Sequence, residues 1–395
     1  VSEKKVFFLS HSFFRFKSAE LSHYLNTLAQ KLVKKGWEVT LILPHATGLA
    51  AEEKLEAVKI CRFRYFFERW EKLAYMGDMA ERVQKSFFYK ILFFFFLAAL
   101  FLKTKKEAKK EKPALLHAHW WVPAGLVAAW HSYFSKIPYI VTLHGTDLML
   151  IRKSGFLRRR AKQVFNRAAG ITVVSTFLKN ELMALFPEIE AKIAVVPMPI
   201  EPEVLQREPQ ATVGGKIILS PARLIEQKNL GTLIEAFSKT APEFPDAKLL
   251  LVGSGPKEAE LKNRVRYLDL EKKVEFLPSM PPPKLGRLYQ AAEIVTLVSK
   301  NEGFGLVLVE AFLFQKPVVA ARSGGITDIV TDGENGFLVD ADNVDEMAEA
   351  LKKLLADADL RERMGNNGYR TYLEKFSPDK LAEKFDRLYS NITGL

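Results

Sequence analysis

Short runs of consecutive apolar residues, separated by helical stripes and turn residues, decide what this chain can fold into. Val6 to Ser10 (VFFLS) reads as a buried strand, and Ala19 to Lys35 then puts Leu21, Leu25, Leu28, Ala29, Leu32 and Val33 on one side of a helix. Gly36 stops that helix, and Trp37 to Pro44 (WEVTLILP) is the next strand. A β-α-β opening of this kind implies a right-handed parallel crossover. Apolar strands recur at Ala114 to His119, Tyr139 to His144, Ile171 to Ser175 and Ile193 to Val196, so the first half reads as a doubly wound sheet. Residues 197–215 (PMPIEPEVLQREPQATVGG) break the pattern with prolines and a closing glycine pair, as a linker does. The alternation then restarts, with strands at Lys216 to Ser220, Lys248 to Gly253, Val274 to Leu277, Ile294 to Val298, Pro317 to Ala320 and Gly336 to Val339. Helices fit around Leu230 to Ser238, Lys257 to Tyr267, Lys284 to Ala292, Gly305 to Gln315 and Val344 to Leu355, and two more close the chain. The expected fold is α/β, with two doubly wound parallel-sheet (Rossmann-like) domains facing across a cleft. The expected division is 1–200, a linker at 201–215, a second domain at 216–376, and a helix at 377–395 packing back on the first.

Charge separates the two halves. Residues 1–200 carry 32 Lys and Arg against 16 Asp and Glu, whereas the remainder carries 26 against 30, so the net +12 belongs to the first half. Such asymmetry points to an anionic partner there, a membrane surface, a phosphorylated acceptor or a nucleic acid, the last without a recognised motif, against the plain alternative of solvated lysines. The lone cysteine, Cys61, allows no intramolecular disulfide and fits a reducing compartment. The opening VSEKKVFFLSHSFF has too short an apolar run for a signal peptide, so the expected location is cytoplasmic, peripheral on the inner face of the membrane. Phe87 to Leu102 (FFYKILFFFFLAALFL) is apolar on every face except at Lys90 and runs into KTKKEAKKEK. As a helix it would be roughly 24 Å long, short of a comfortable bilayer crossing. Two readings stand open for it: a helix dipping into lipid headgroups with its lysine tail on anionic lipid, or a helix buried against the sheet.

The residues able to do chemistry fall at strand ends. After the strand at Ile294 to Val298 come Glu302, Gly303, Phe304 and Gly305 and then a helix start, where free N–H groups and the helix dipole suit a phosphate. Within the run from Leu306 to Phe314 only Glu310 is polar, and a carboxylate in such surroundings needs a partner that vicinal sugar hydroxyls could supply. Arg223 and Lys228, after the first strand of the second half, could clamp a diphosphate and neutralise charge as it leaves. The turn at Gly253 is consistent with close nucleotide approach. In the first half, His117, His119, His144 and Asp147 sit at strand ends, where a histidine could bond a substrate hydroxyl or simply hold loops. A zinc site from His117, His119 and His144 is set aside because His117 and His119 are placed on opposite faces of their strand. Thr327 and Asp328, after Ser323-Gly324-Gly325, either line the cleft or cap the following helix, and capping is the expectation.

Taken together, these segments resemble the family 4 glycosyltransferases, retaining enzymes of the GT-B fold, over nearly the whole chain. The most specific mark is EGFGLVLVE, with Glu302 and Glu310 spaced by seven residues; SPARLIEQK at 220–228, the Gly253 turn, SGG at 323–325, and the HAHW and HGTD segments follow in order. The resemblance implies that Arg223 and Lys228 hold the donor diphosphate, Glu310 the nucleotide ribose and Glu302 the hydroxyls of the transferred sugar. Gly303, Phe304, Gly305 and Leu306 would supply backbone N–H groups, Ser279 and Met280 would lie near the base, and His119 near the reacting sugar. The implied domain roles are acceptor side first and donor side second. The leaving phosphate would take the acceptor's proton, with no protein nucleophile, no cofactor and no metal. Members commonly carry a glycine pair after the first strand, whereas this chain has Lys17, Ser18 and Ala19 there, an acceptor-side loop with a cation of its own. The expected function is therefore retaining transfer of a sugar from a nucleotide-diphosphate-sugar to an acceptor, lipid-linked or membrane-associated, with an anionic membrane surface as partner. The alternatives are a nucleotide-sugar epimerase of the same shape and a catalytically lapsed membrane-associated subunit.

Overall fold

The computed structural model describes residues 3–12, 23–75, 79–200, 202–205 and 215–395. The chain forms two compact units, Val1–Pro199 with Pro378–Leu395, and Ile200–Ser377. In unit 1 the strands are β1 (Lys5–Leu9), β2 (Glu38–Pro44), β3 (Glu52–Leu55), β4 (Val58–Phe63), β5 (Leu115–His119), β6 (Tyr139–Leu143), β7 (Gly170–Val173) and β8 (Ile193–Val195). They pair in the order β3-β4-β2-β1-β5-β6-β7-β8. All neighbours are parallel except β3 with β4, a hairpin that the alternation did not signal because EEKL offers too little apolar side chain. The central strands are buried along almost their whole length, which is why their sequences are mainly apolar on both faces rather than in alternate positions, His117, His119 and Thr142 being the polar exceptions.

Helix Pro378–Thr393 completes this unit by packing on helix His23–Lys34. Its inner face carries Leu381, Phe385 and Tyr389 into the core with Leu25, Leu28, Trp37 and Leu41. Each of these large side chains contributes about 2 kcal/mol through burial. Asp386 fixes the register by accepting from Trp37 Nε1 at 2.7 Å.

Unit 2 contains β9 (Lys216–Pro221), β10 (Ala247–Val252), β11 (Val274–Leu277), β12 (Ala292–Leu297), β13 (Val318–Ala321) and β14 (Gly336–Val339). Their order is β11-β10-β9-β12-β13-β14, all parallel. Strand order reverses between β9 and β12, the point at which loops leave the sheet in opposite directions and open a crevice. The stretch expected as a linker starts with a short helix, Pro202–Leu205, that lies against helix Pro282–Ala291. The fit is close enough that a Cβ on Gly286 would fall 1.8 Å from the Leu205 carbonyl oxygen.

The aromatic helix runs from Phe87 to Glu111, well beyond Leu102. The lysine-rich tail stays helical because Glu107 and Glu111 reach back to the sheet. Glu107 pairs with Lys103 at 3.0 Å and Lys59 at 3.6 Å, while Glu111 pairs with Lys59 and accepts from Thr40 Oγ1 at 3.1 Å. The helix is thus about 37 Å long, and its packing on β2 and β4, not its length, holds it along the sheet. Only 28% of its most apolar 18-residue window is buried, so the helix is not a core element.

Candidate functional site

In unit 2, parallel strands deliver their loops to one edge, and four of these loops, after β9, β10, β12 and β13, interlock there. Leu224 N–H donates to Ser254 O at 2.9 Å, Lys300 N–H to Gln227 O at 2.8 Å and Gly325 N–H to Glu302 O at 2.8 Å. Asn301 N–H donates to Ser323 Oγ at 2.8 Å. The glycines make this interlocking possible. A Cβ on Gly253 would lie 2.0 Å from Ala222 O, and one on Gly324 would lie 2.2 Å from Glu302 O.

Glu302 and Lys228 meet at this edge, with Nζ 2.5 Å from Oε2 and both side chains mostly buried. Arg223 stands exposed at the end of β9, and Met280 is half-buried after β11, beside Ser279, whose Oγ lies 3.4 Å from Ser254 Oγ. Gly305 takes φ +110° and begins helix Leu306–Leu313 with no side-chain cap, so the first-turn N–H groups face the loop. Gly303 is half-buried, whereas Phe304 is a core residue whose ring packs on Phe376. Thr327 and Asp328 cap no helix. They close a 3-10 turn, Gly324–Asp328, in which Thr327 Oγ1 donates to Gly324 O at 3.1 Å, and a strand follows.

Glu310 lies one helix turn deeper. Tyr289, fully buried in helix Pro282–Ala291 and stacked on Phe314, donates its hydroxyl to Glu310 Oε2 at 2.6 Å. Glu310 keeps partial exposure because the crevice opens to water, yet enough protein encloses the carboxyl that burial pushes its pKa up to about 7; the Tyr289 hydrogen bond opposes that rise. Tyr289 was not singled out from the sequence. Its only signal is a lone hydroxyl among the apolar positions of PPPKLGRLYQA, 21 residues before Glu310.

Unit 1 holds a second polar cluster. His117 and His119 lie on one face of β5, since residues two apart on a strand share a face, and their rings are 4.1 Å apart. This corrects the expectation of opposite faces. The zinc triad fails for a different reason: both His117 nitrogens are taken, Nδ1 by Tyr389 Oη at 2.6 Å and Nε2 by Thr142 Oγ1 at 2.6 Å. His117 is therefore a structural residue that ties β5 to the last helix. Asp147 holds the loop after β6, its Oδ1 accepting from the N–H groups of His144, Gly145 and Leu148. Its Oδ2 is buried without a partner among the described residues, and burial raises its pKa to about 6 against those three hydrogen bonds.

His119 and His144 form a relay whose proton positions follow from one contact. Burial lowers the pKa of both, His144 to about 3, so both rings are neutral near pH 7. His144 Nδ1 lies 3.1 Å from Met198 Sδ, which has no hydrogen to give, so we assign the proton to Nδ1. The bare Nε2 of His144 then accepts from His119 Nδ1 at 3.3 Å. That assignment leaves His119 Nε2 as a lone-pair acceptor, buried and without a partner among the described residues. A hydroxyl donor is what it would take. Tyr24 packs its ring 5.3 Å from His144 and leaves its own buried hydroxyl unpaired among the described residues. Lys17, Ser18 and Ala19 lie outside the described residues.

Two parallel-sheet units, with acidic and basic side chains gathered at the carboxyl edge of the second, define a protein of the GT-B glycosyltransferase class. Comparison with known proteins agrees. The description "Glycosyltransferase Family 4" matches residues 21–204 and "Glycosyl transferases group 1" matches residues 203–371. The chain is 30% identical over 306 residues to a D-inositol 3-phosphate glycosyltransferase of Corynebacterium jeikeium, covering 70% of this chain and 72% of that one. It is 28% identical over 300 residues to an N-acetyl-alpha-D-glucosaminyl L-malate synthase of Bacillus anthracis, covering 73% and 78%. The fold matches a sucrose-phosphate synthase from Thermosynechococcus elongatus with a TM-score of 0.77 at 20% identity, over 99% of this chain and 100% of that one. It matches HepE of Anabaena in complex with UDP-glucose with a TM-score of 0.71 at 20% identity, over 98% and 99%. The chain belongs to the family 4 glycosyltransferases.

Proposed function

We propose that the chain transfers a sugar, with retention at the anomeric carbon, from a nucleotide-diphosphate-sugar held by unit 2. The observation that carries this reading is the pairing of Lys228 with Glu302 beside Glu310 and its tyrosine partner at one sheet edge. The support for a nucleotide donor is chemical. Glu310 is a carboxylate in an enclosed crevice that accepts from one hydroxyl already and has lone pairs left for the vicinal hydroxyls of a ribose. Arg223 and Lys228 offer positive charge to a diphosphate. HepE, similar in fold, binds UDP-glucose.

In the proposed reaction the bond from the anomeric carbon to the phosphate oxygen breaks and a bond to the acceptor oxygen forms on the same face. The acceptor's proton passes to the departing phosphate. Arg223 and Lys228 stabilise the charge that develops there, a role a metal would otherwise fill. The side chains at the edge do not make a ligand set, since Glu302 is closed onto Lys228 and Glu310 onto Tyr289. Transfer is accordingly expected to persist in excess EDTA, and loss of activity that added divalent metal restores would overturn the metal-free reading. His119 Nε2 we assign to a sugar hydroxyl, and the acceptor to the lipid-linked or membrane-associated alcohols.

The test is a thermal-shift screen of UDP-, GDP- and ADP-sugars followed by product analysis. Binding to the native state raises the midpoint for the true donor class. Proton coupling at the new anomeric centre then reports stereochemistry. An inverted product, or no shift with any nucleotide sugar, would contradict the proposal.

A further inference from the structure

The helix Phe87–Glu111 presents two opposed stripes. The inner one, Leu92, Phe96, Leu97, Leu100, Thr104, Glu107 and Ala108, is buried against the sheet. The outer one changes chemistry along its length. Its first half carries Phe87, Ile91, Phe94, Phe95 and Leu102, with Phe87 77% and Phe94 68% exposed. Its second half, on the same face by helical spacing, carries Lys105, Lys106 and Lys109, all exposed. Exposed Phe67 and Trp70 widen the aromatic part: Phe66 lies 5.2 Å from Phe67 and 5.7 Å from Phe95, and Trp70 lies 5.3 Å from Phe88. The patch continues through Phe101 to Phe134, which is 75% exposed.

Cations border the aromatics. Arg69 sits over Trp70 at 5.7 Å, Arg82 over Tyr89 at 5.7 Å and Arg167 over Tyr133 at 4.7 Å. Arg69 and Arg82, with Lys72, also line a cavity of about 250 Å³, whose two carboxylates are engaged, Glu71 with His45 Nδ1 at 2.6 Å and Glu68 with Arg64 at 3.4 Å. An apolar field of this extent on a soluble face is unusual, and its edging by positive charge selects the partner.

We propose that this face is a docking surface for an anionic phospholipid bilayer, on which the helix lies in the plane of the interface. Phenylalanine rings enter the boundary between headgroups and acyl chains, and Lys105, Lys106 and Lys109 meet the phosphates about 15 Å further along the helix. The helix lies on the bilayer and does not cross it. A crossing would pull the buried stripe off the sheet and strip Glu107 and Glu111 from Lys59 and Thr40. The proposal stands apart from the assignment of the transfer reaction, because nothing in it needs a donor or an acceptor.

The test is flotation of the full chain, without nucleotide sugar, on vesicles of phosphatidylcholine alone or mixed with phosphatidylglycerol. The wild type is expected to bind the mixed vesicles at least about tenfold better than the neutral ones at low salt, and to lose that margin as salt is raised. Phe87→Glu with Phe94→Glu is expected to lose binding to both. Lys105→Gln with Lys106→Gln and Lys109→Gln is expected to lose the preference for anionic lipid and keep weak binding. Both sets lie on the exposed stripe, so circular dichroism and the unfolding midpoint should match wild type. If the wild type does not bind the mixed vesicles at low salt, the proposal is overturned. It is equally overturned if sedimentation shows a dimer that the phenylalanine variant dissociates while vesicle binding is absent, because the occupant would then be a second copy of the chain.

Discussion

The polar clusters of the two units are built on opposite terms. In unit 2 the acidic side chains are already engaged, Glu302 by Lys228 and Glu310 by Tyr289. In unit 1 three buried polar atoms of the cluster stand without partners among the described residues, His119 Nε2, Asp147 Oδ2 and the Tyr24 hydroxyl, against one at the unit 2 edge, Ser299 Oγ. An engaged cluster is held in place before any ligand arrives and costs little to keep folded. An orphaned one costs desolvation without return, on the order of 1–3 kcal/mol per group, until a hydroxyl satisfies it. Unit 2 thus has the character of a pre-set holder and unit 1 that of a site whose polar groups are repaid only by a ligand.

The largest expected effect comes from breaking the engaged pair. Glu302→Ala should lower transfer by roughly 10²–10³-fold, in keeping with loss of a preorganised charged group, and should cost about 1–3 kcal/mol of stability because it leaves the mostly buried Lys228 without its partner. A variant that turns over at the wild-type rate would remove Glu302 from the site. Next comes the contrast between neighbouring histidines. His117→Ala should cost about 2–4 kcal/mol of stability by leaving the Tyr389 hydroxyl unpaired and a cavity in the core, while Thr142 keeps its bond to Thr172, read by urea denaturation. His119→Ala should cost less in the same measurement, because it breaks the single bond to His144 and opens a cavity but relieves the orphaned Nε2, and yet it should reduce transfer by about tenfold or more. Equal stability losses in the two would mean that the clusters do not differ as described. The smallest effect is expected from Tyr289→Phe, which keeps the stacking on Phe314 and removes the hydroxyl that holds the Glu310 pKa down. Donor binding should weaken only a few fold near neutrality, and its pH midpoint should move upward.

Much of this was open to a reader of the sequence, for a physical reason. Strands buried on both faces are mainly apolar on both, so VFFLS or IVTL announces a parallel sheet without help from distant residues. Glu310 stood out because a carboxylate among leucines, valines and phenylalanines is costly. What could not be read depends on contacts across the chain. Nothing local says that Tyr389 will close onto His117, 272 residues away, or that Tyr289 will meet Glu310. The lysine-rich tail after Leu102 gave no sign of staying helical, because its register is set by Glu107 and Glu111 reaching Lys59 on another strand. The facing of His117 and His119 was legible, and two-residue periodicity gives it directly. The orphaned Nε2 of His119 required the Met198 contact, which fixes the protons of both rings.

The claim that unit 2 binds the donor through an ionised Glu310 is tested most directly by calorimetric titration of the full chain with the nucleotide-sugar that raises its unfolding midpoint, between pH 6 and pH 8. With burial lifting the carboxyl from 4.5 to about 7, the native state holds this proton more tightly than the unfolded chain does. Unfolding stability from this group therefore falls as pH rises from about 4.5 to about 7, by something on the order of 1–3 kcal/mol, and Glu310→Gln should abolish that slope. Donor binding runs the other way, because the hydroxyls of a ribose need the lone pairs that ionisation frees. Wild-type affinity should rise as pH passes about 7, and Glu310→Gln should bind about tenfold more weakly with no such rise. Equal affinity of the two proteins across that range would contradict the assignment of Glu310 to the donor.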